Sequence, residues 1–116
     1  MILLVGAFSV PMALAQTAVA PEKPLTKQLI LQYLPPDFIA ILTCESNLQQ
    51  FDRKGRPLLS DTSDVGIGQI NRIHWGEAKE LGLDIFNSEE DNLKMAKIIY
   101  ESEGVHAWTC SKIVEG

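Results

Sequence analysis

Apolar positions recur at helical spacing in several stretches of the chain, and prolines or glycines separate them. Leu29, Ile30 and Tyr33 form a stripe on a helix that Thr26 caps and that runs to about Leu34, where Pro35-Pro36 stops it. Pro36 suits the first turn of a second helix, "PDFIAILTCES". Asp37 lies near its positive end, and Phe38, Ile41 and Leu42 share one side. A third helix, "EEDNLKMAKIIYESEG", buries Leu93, Ala96, Ile99 and Tyr100. It starts at a capping box formed by Ser88 and Asp91 and ends at Gly104. "NRIHWGEAKELG" gives a shorter helix that ends at Gly82, and "VHAWTCSKIVEG" begins as a short helix or turn. Residues 49–60, "QQFDRKGRPLLS", read as a small β-hairpin whose turn runs from Asp52 to Arg56, with Gly55 at positive φ. There are no repeats. The pattern predicts an α+β domain, mainly helical, with a small β-hairpin insertion.

The first fifteen residues, "MILLVGAFSVPMALA", are uncharged and apolar and finish Ala13-Leu14-Ala15. That is the apolar region and small-residue cleavage site of a secretory signal, and it is short for a membrane span. A retained N-terminal anchor is the alternative. Residues 16–25, "QTAVAPEKPL", read as a linker, which leaves 26–116 as the domain. Export places the chain outside the cytoplasm, secreted or in the periplasm and cell envelope. It also makes Cys44 and Cys110 a disulfide candidate, with two buried thiols as the alternative. The net charge of −5 and the absence of any Lys/Arg run argue against nucleic acid as a partner. The chain is expected to act as a monomer.

Two carboxylates stand out. Glu45 follows Ile41 and Leu42 at helical spacing and falls at the C-terminal end of an apolar stripe. Partial burial and the negative end of the helix dipole both disfavour its charged form, which suits a general acid. On position alone, a solvent-facing helix-end Glu is the commoner arrangement. Asp64 precedes Gly66 and would face Glu45 across the hairpin as the second member of a glycosidase pair. The plainer reading makes it a turn residue, because "DTSD" is rich in side chains that bond local backbone. Gly66 and Gly68 permit close backbone approach to a ligand, and Gln69 and Asn71 offer amides suited to sugar hydroxyls and acetamido groups. Trp75 and Trp108 either stack on sugar faces, dry Glu45, or pack as ordinary core. His74 and His106 lack Cys, His or carboxylate partners at ligand spacing, so a zinc site is not expected.

Taken in order, these residues resemble the lysozyme superfamily. Glu45-Ser46 ends a helix, Gly66-Ile67-Gly68-Gln69-Ile70-Asn71 follows, then a helix with Asp91-Asn92-Leu93, then Ala107-Trp108 after a glycine. The likeness covers about residues 36–110 and is closest to the bacterial soluble lytic transglycosylase catalytic domain, with its Glu-Ser and Gly-Leu-Met-Gln-Ile type segments. "TSDVGIGQIN" also looks like the Ser-Thr-Asp-Tyr-Gly-Ile-x-Gln-Ile-Asn segment of animal-type lysozymes, which puts Asp64 at the place of their second carboxylate. Typical lytic transglycosylases lack a carboxylate there and carry a late Tyr-Asn-Ala-Gly motif, near which this chain has "HAWTCS".

The resemblance implies a lysozyme-like fold and cleavage of the β-1,4 bond between N-acetylmuramic acid and N-acetylglucosamine in peptidoglycan glycan strands. It implies Glu45 as acid, Asp64 as a second carboxylate, and a sugar cleft that draws on Ser46, Gly66, Gln69, Asn71, Trp75, Tyr100 and Trp108. No cofactor or metal is implied. The product would be a 1,6-anhydromuramic end in the transglycosylase version and a reducing end in the hydrolytic version. A non-catalytic glycan-binding module is the remaining alternative, since fold does not fix function. The acidic net charge suits wall remodelling better than attack on anionic bacterial envelopes.

Overall fold

The structure, a computed structural model, describes residues 22–115, so the expected signal segment and most of the linker lie outside the described residues. Helix α1 spans Glu22–Tyr33 and begins four residues before the predicted start at Thr26. Pro24 falls in its first turn, where a backbone N–H has no intrahelical acceptor in any case, so the proline does not prevent helix. Thr26 is therefore a buried residue inside the helix rather than its cap.

Helix α2 spans Asp37–Ser46 after the Pro35-Pro36 break, with Phe38, Ile41 and Leu42 buried as the spacing predicts. Phe38 sits at the centre of the core. Tyr100 meets its ring edge-on at 5.3 Å and Trp108 at 4.8 Å. Burial of one such side chain contributes about 1.5–3 kcal/mol. The helix ends with two residues in the left-handed region, Asn47 at φ 54° and Leu48 at φ 58°. Leu48 N–H reaches back to the Leu42 carbonyl at 3.3 Å and Asn47 N–H to the Thr43 carbonyl at 3.0 Å, so the last helical carbonyls are satisfied. Asn tolerates this conformation. Leu does not, and the burial of Leu48 offsets the strain.

The turn at Asp52 forms as expected. Asp52 Oδ1 accepts the N–H groups of Lys54 at 2.8 Å and Arg56 at 3.0 Å, and Gly55 has φ 80°. The hairpin predicted over 49–60 forms only in part. Asp52 N–H bonds to Arg56 O at 2.7 Å and Leu58 N–H to Gln50 O at 2.9 Å around an isolated Phe51–Pro57 bridge, and the Leu58 carbonyl that would extend the ladder accepts Gly66 N–H at 2.8 Å; a second isolated bridge joins Leu59 to Val65. The regular pair lies further along, in the glycine-rich segment. Strand β1, Asp64–Val65, runs antiparallel to β2, Ile70–Asn71, with Asp64 opposite Asn71 and Val65 opposite Ile70.

The helix predicted from Asn71 starts later. A 3₁₀ turn over Arg72–His74 leads into α3, Trp75–Glu80, and Gly82 follows at φ 76°. Helix α4, Glu89–Glu103, has the predicted ends: Ser88 Oγ accepts the Asp91 N–H at 3.0 Å, and Gly104 stands at φ 77°. The tail forms 3₁₀ turns at Val105–Ala107 and Thr109–Ser111 and a short α5, Lys112–Glu115. The chain is thus a small, mainly helical α+β domain in which α2 and α4 flank the hairpin. No helix among the described residues is long and apolar enough to cross a membrane.

Cys44 and Cys110 are joined, with their Cα atoms 6.1 Å apart, so α2 is tied to the tail. In the chain-entropy view, closing a loop of this length stabilises the fold by about 4 kcal/mol.

Candidate active site

The segment from Val65 to Ile70 carries almost no regular structure, yet its backbone polar groups are paired. Gly66 N–H bonds to Leu58 O at 2.8 Å, and Gln69 N–H to Gly66 O at 3.0 Å. Side chains from five other places take most of the rest. Gln50 Oε1 accepts Ile67 N–H at 2.9 Å, and Asn92 Oδ1 accepts Gly68 N–H at 2.7 Å. Asn92 Nδ2 donates to Val65 O at 3.0 Å, Ser46 Oγ to Ile67 O at 2.7 Å, and Trp108 Nε1 to Gly68 O at 2.8 Å. Trp75 Nε1 donates to Ile70 O at 2.9 Å. Buried peptide groups require such partners, and here they come from α2, the loop after it, α3, α4 and the tail.

Gln50 and Asn92 are the inner half of this arrangement, at 4 % and 0 % exposure. Both amides use both hydrogens. Gln50 Nε2 bonds to Ile85 O at 2.9 Å and Phe86 O at 3.0 Å, and Asn92 Nδ2 adds Ile85 O at 2.8 Å. They explain the glycines. A β-carbon on Gly66 would stand 2.2 Å from Asn92 Nδ2 and 2.6 Å from Gln50 Oε1, and one on Gly68 would stand 2.7 Å from Asn92 Oδ1. The close approach that these glycines allow is, on that face, to the protein's own amides. The candidate set drawn from the sequence lacked both Gln50 and Asn92. Asn92 could have been found, as a polar residue on the apolar face defined by Leu93, Ala96 and Ile99. Gln50 lies in a loop with no period and gave no signal.

Asp64 is held by its neighbours. Oδ2 accepts from Ser60 Oγ at 2.7 Å and from Thr62 Oγ1, and Oδ1 accepts from Asn71 Nδ2 at 2.8 Å. Partial burial pushes its pKa up, but the bonds from Thr62, Asn71 and Ser60 outweigh it and hold the carboxyl below the usual carboxylate range. Asp64 is therefore ionised at neutral pH. Gln69 staples the same turn, with Nε2 donating to Gly66 O at 3.0 Å and Asp64 O at 3.3 Å. Its own φ is 50°.

Glu45 is partly buried at the last turn of α2, and its Oε2 accepts the Cys110 N–H at 2.9 Å. The next residue, Ser46, fixes the glycine segment. Trp108, two residues before Cys110, fixes the same segment from the other side. The α2 end, the glycine segment and the tail therefore meet at Glu45. Trp108 is 4 % exposed and belongs to the core. Trp75 is half-buried against Phe86, ring to ring at 4.9 Å. Tyr100 stands apart from the junction and lines a cavity of about 560 Å³ with Phe38, Val105 and His106.

The two histidines do meet carboxylates that local spacing did not reveal. His74 lies 3.6 Å from Glu103, and His106 lies 3.0 Å from Glu115. Among the described residues, no three His, Cys, Asp or Glu side chains stand close enough to hold a metal ion. No family model, no curated protein and no solved structure matches the chain.

Proposed function

We propose that the protein is a lytic transglycosylase that cleaves the β-1,4 bond between N-acetylmuramic acid and N-acetylglucosamine in peptidoglycan, with Glu45 as its single catalytic acid. The observation that carries this reading is the position of Glu45. It is a partly buried carboxyl, aimed by a backbone N–H, at the junction of α2, the glycine segment and the tail.

Glu45 gives its proton to the glycosidic oxygen as the bond from muramic C1 breaks. The substrate's acetamido oxygen supports the cation at C1. The Glu45 carboxylate then takes the proton of the muramic 6-hydroxyl, whose oxygen closes on C1 to form the 1,6-anhydro ring. One carboxyl group serves as acid and then as base, and no water is consumed. The indole and amide groups that fix residues 65–70 hold one wall of the site rigid, which limits reorganisation during the reaction. Trp75 is the partly exposed ring proposed to meet sugar; Asn71 is also partly exposed, but its Nδ2 hydrogens go to Thr62 O and Asp64 Oδ1, so it acts on the site by holding Asp64. The oxidised cysteine pair and the apolar leader fit an enzyme of the cell envelope.

The environment of Asp64 bears on the product. Three donors on one carboxylate make it a weaker nucleophile, which favours single-acid chemistry. A carboxylate held ionised also suits an electrostatic stabiliser, so hydrolysis by Glu45 and Asp64 is the second reading. Mass spectrometry of muropeptides released from purified peptidoglycan separates them. The anhydro product is lighter than the hydrolytic product by one water. Reducing ends would make the enzyme a muramidase, and no release at all would favour a glycan-binding module.

A further inference from the structure

The hydrogen bond on Glu45 and the disulfide share a residue. Cys110 donates its backbone N–H to Glu45 Oε2, and its sulfur is bonded to Cys44, the residue immediately before Glu45. Cys110 lies in the three-residue turn Thr109–Ser111, which Ser111 N–H closes onto Trp108 O at 3.0 Å. Its own N–H falls in the first turn of that element and has no acceptor there, so local structure leaves it without a partner. Glu45, 65 residues earlier, is the partner it has.

We infer that Cys44 and Cys110 are positioning residues for the acid: the bridge sets the Cys110 N–H against Glu45 Oε2 and leaves Oε1 as the atom that carries the proton. An N–H needs a lone pair, and the hydroxyl oxygen of a protonated carboxyl is the poorer acceptor, so the donor selects which oxygen is bare. The path from Glu45 through its own backbone to Cys44, across the sulfurs to Cys110 and back through the N–H closes a small ring around the carboxyl. Opening that ring at the sulfurs frees the tail to shift relative to α2. A misplacement of about 1 Å at a reacting group costs on the order of 10²-fold in rate. Trp108 stays anchored by Phe38 and Gly68 O, so in the folded protein the tail remains docked without the bridge, and a loss of geometry at Glu45 comes on top of the loss of stability. This inference rests on the reading of Glu45 as the acid, and its test has an arm that does not.

That arm is the amide NMR signal of residue 110. In the oxidised protein, Glu45→Ala should move the Cys110 amide proton upfield and leave Thr109 and Ser111 little changed; an unmoved signal overturns the inference. The double variant Cys44→Ala with Cys110→Ala should show the same upfield move at position 110. On soluble glycan strands its kcat should fall at least about tenfold with KM within about threefold. A bridge that merely stabilises would lower the melting temperature and leave kcat at lower temperature intact. A folded double variant with wild-type kcat therefore overturns the inference. If the double variant does not fold, the position-110 amide of the wild type reduced under native conditions decides instead: the same upfield move supports the inference, and an unmoved signal overturns it. If the wild type cleaves nothing, the proposed function fails separately, and the position-110 amide in the bridge-free protein decides this one.

Discussion

Asp64 and Glu45 are both partly buried carboxylates, and they are held in opposite ways. The donors to Asp64 are Ser60, Thr62 and Asn71, all within seven residues of it in sequence. The donor to Glu45 is 65 residues away and arrives on a segment tied down by a disulfide. Asp64 thus owes its environment to a turn that closes on itself, whereas that of Glu45 exists only when α2 and the tail have docked. A carboxylate served by a local turn is pinned and ionised. One served across the fold depends on everything that sets the docking.

The sharpest way to break this contrast is to unseat the segment that joins the two regions. Gly66 has φ 76°, and an added β-carbon would overlap Asn92 and Gln50, so Gly66→Ala should cost about 3 kcal/mol or more in chemical denaturation. An equal substitution at Gly55, whose φ is 80° but which has open space around it, should cost only about 1 kcal/mol. Asn92→Ala should follow at about 2–3 kcal/mol, because it strands the Gly68 N–H in the core and removes one of the bonds to the Val65 carbonyl. Its activity should fall with its stability, since the wall beside Glu45 loosens.

Asp64→Asn separates the two carboxylates. As single-acid chemistry does not use Asp64, the variant should keep activity within about tenfold of wild type when assayed on peptidoglycan. Its effect should appear instead in stability against pH. A carboxyl whose folded pKa is depressed adds stability above the usual carboxylate value of about 4, and that stability is lost as pH falls through the folded value. Acid-unfolding curves of Asp64→Asn should therefore be flatter than wild type below about pH 4. A variant with no activity left would move Asp64 into the reaction. The smallest effect on the segment belongs to Trp108→Phe, which keeps an aromatic ring against Phe38 and loses the bond to Gly68 O together with part of the ring volume. It should cost about 1 kcal/mol in thermal or urea unfolding.

The same contrast accounts for what could be read from the sequence. The helices announced themselves: the Phe38, Ile41, Leu42 stripe, the Ser88 cap and the Gly104 stop are local patterns, and all are present. The local bonding capacity of "DTSD" was legible too, although Ser60 and Thr62 serve the Asp64 side chain. The β region was misplaced. Strands of two residues carry no period, and over 49–60 the pairing ends at the Phe51–Pro57 bridge, where the Leu58 carbonyl that would extend it accepts the Gly66 N–H. Gln50 and the Cys110 N–H were invisible because nothing nearby in sequence marks them. One is a loop amide and the other is a backbone group. The direction in which Gly66 and Gly68 face followed from Asn92 and Gln50, so it could not be known before them.

Parallel digestion of purified peptidoglycan by the wild type and by Glu45→Gln, with soluble muropeptides quantified over time, decides whether Glu45 is the catalytic acid. The wild type should release anhydro-ended fragments. Glu45→Gln, which keeps the carbonyl oxygen as an acceptor for Cys110 N–H but cannot supply the acid's proton, should release them about 10²–10⁴-fold more slowly while matching the wild type in unfolding midpoint. Equal release by the two proteins would contradict the assignment of Glu45 as the catalytic acid.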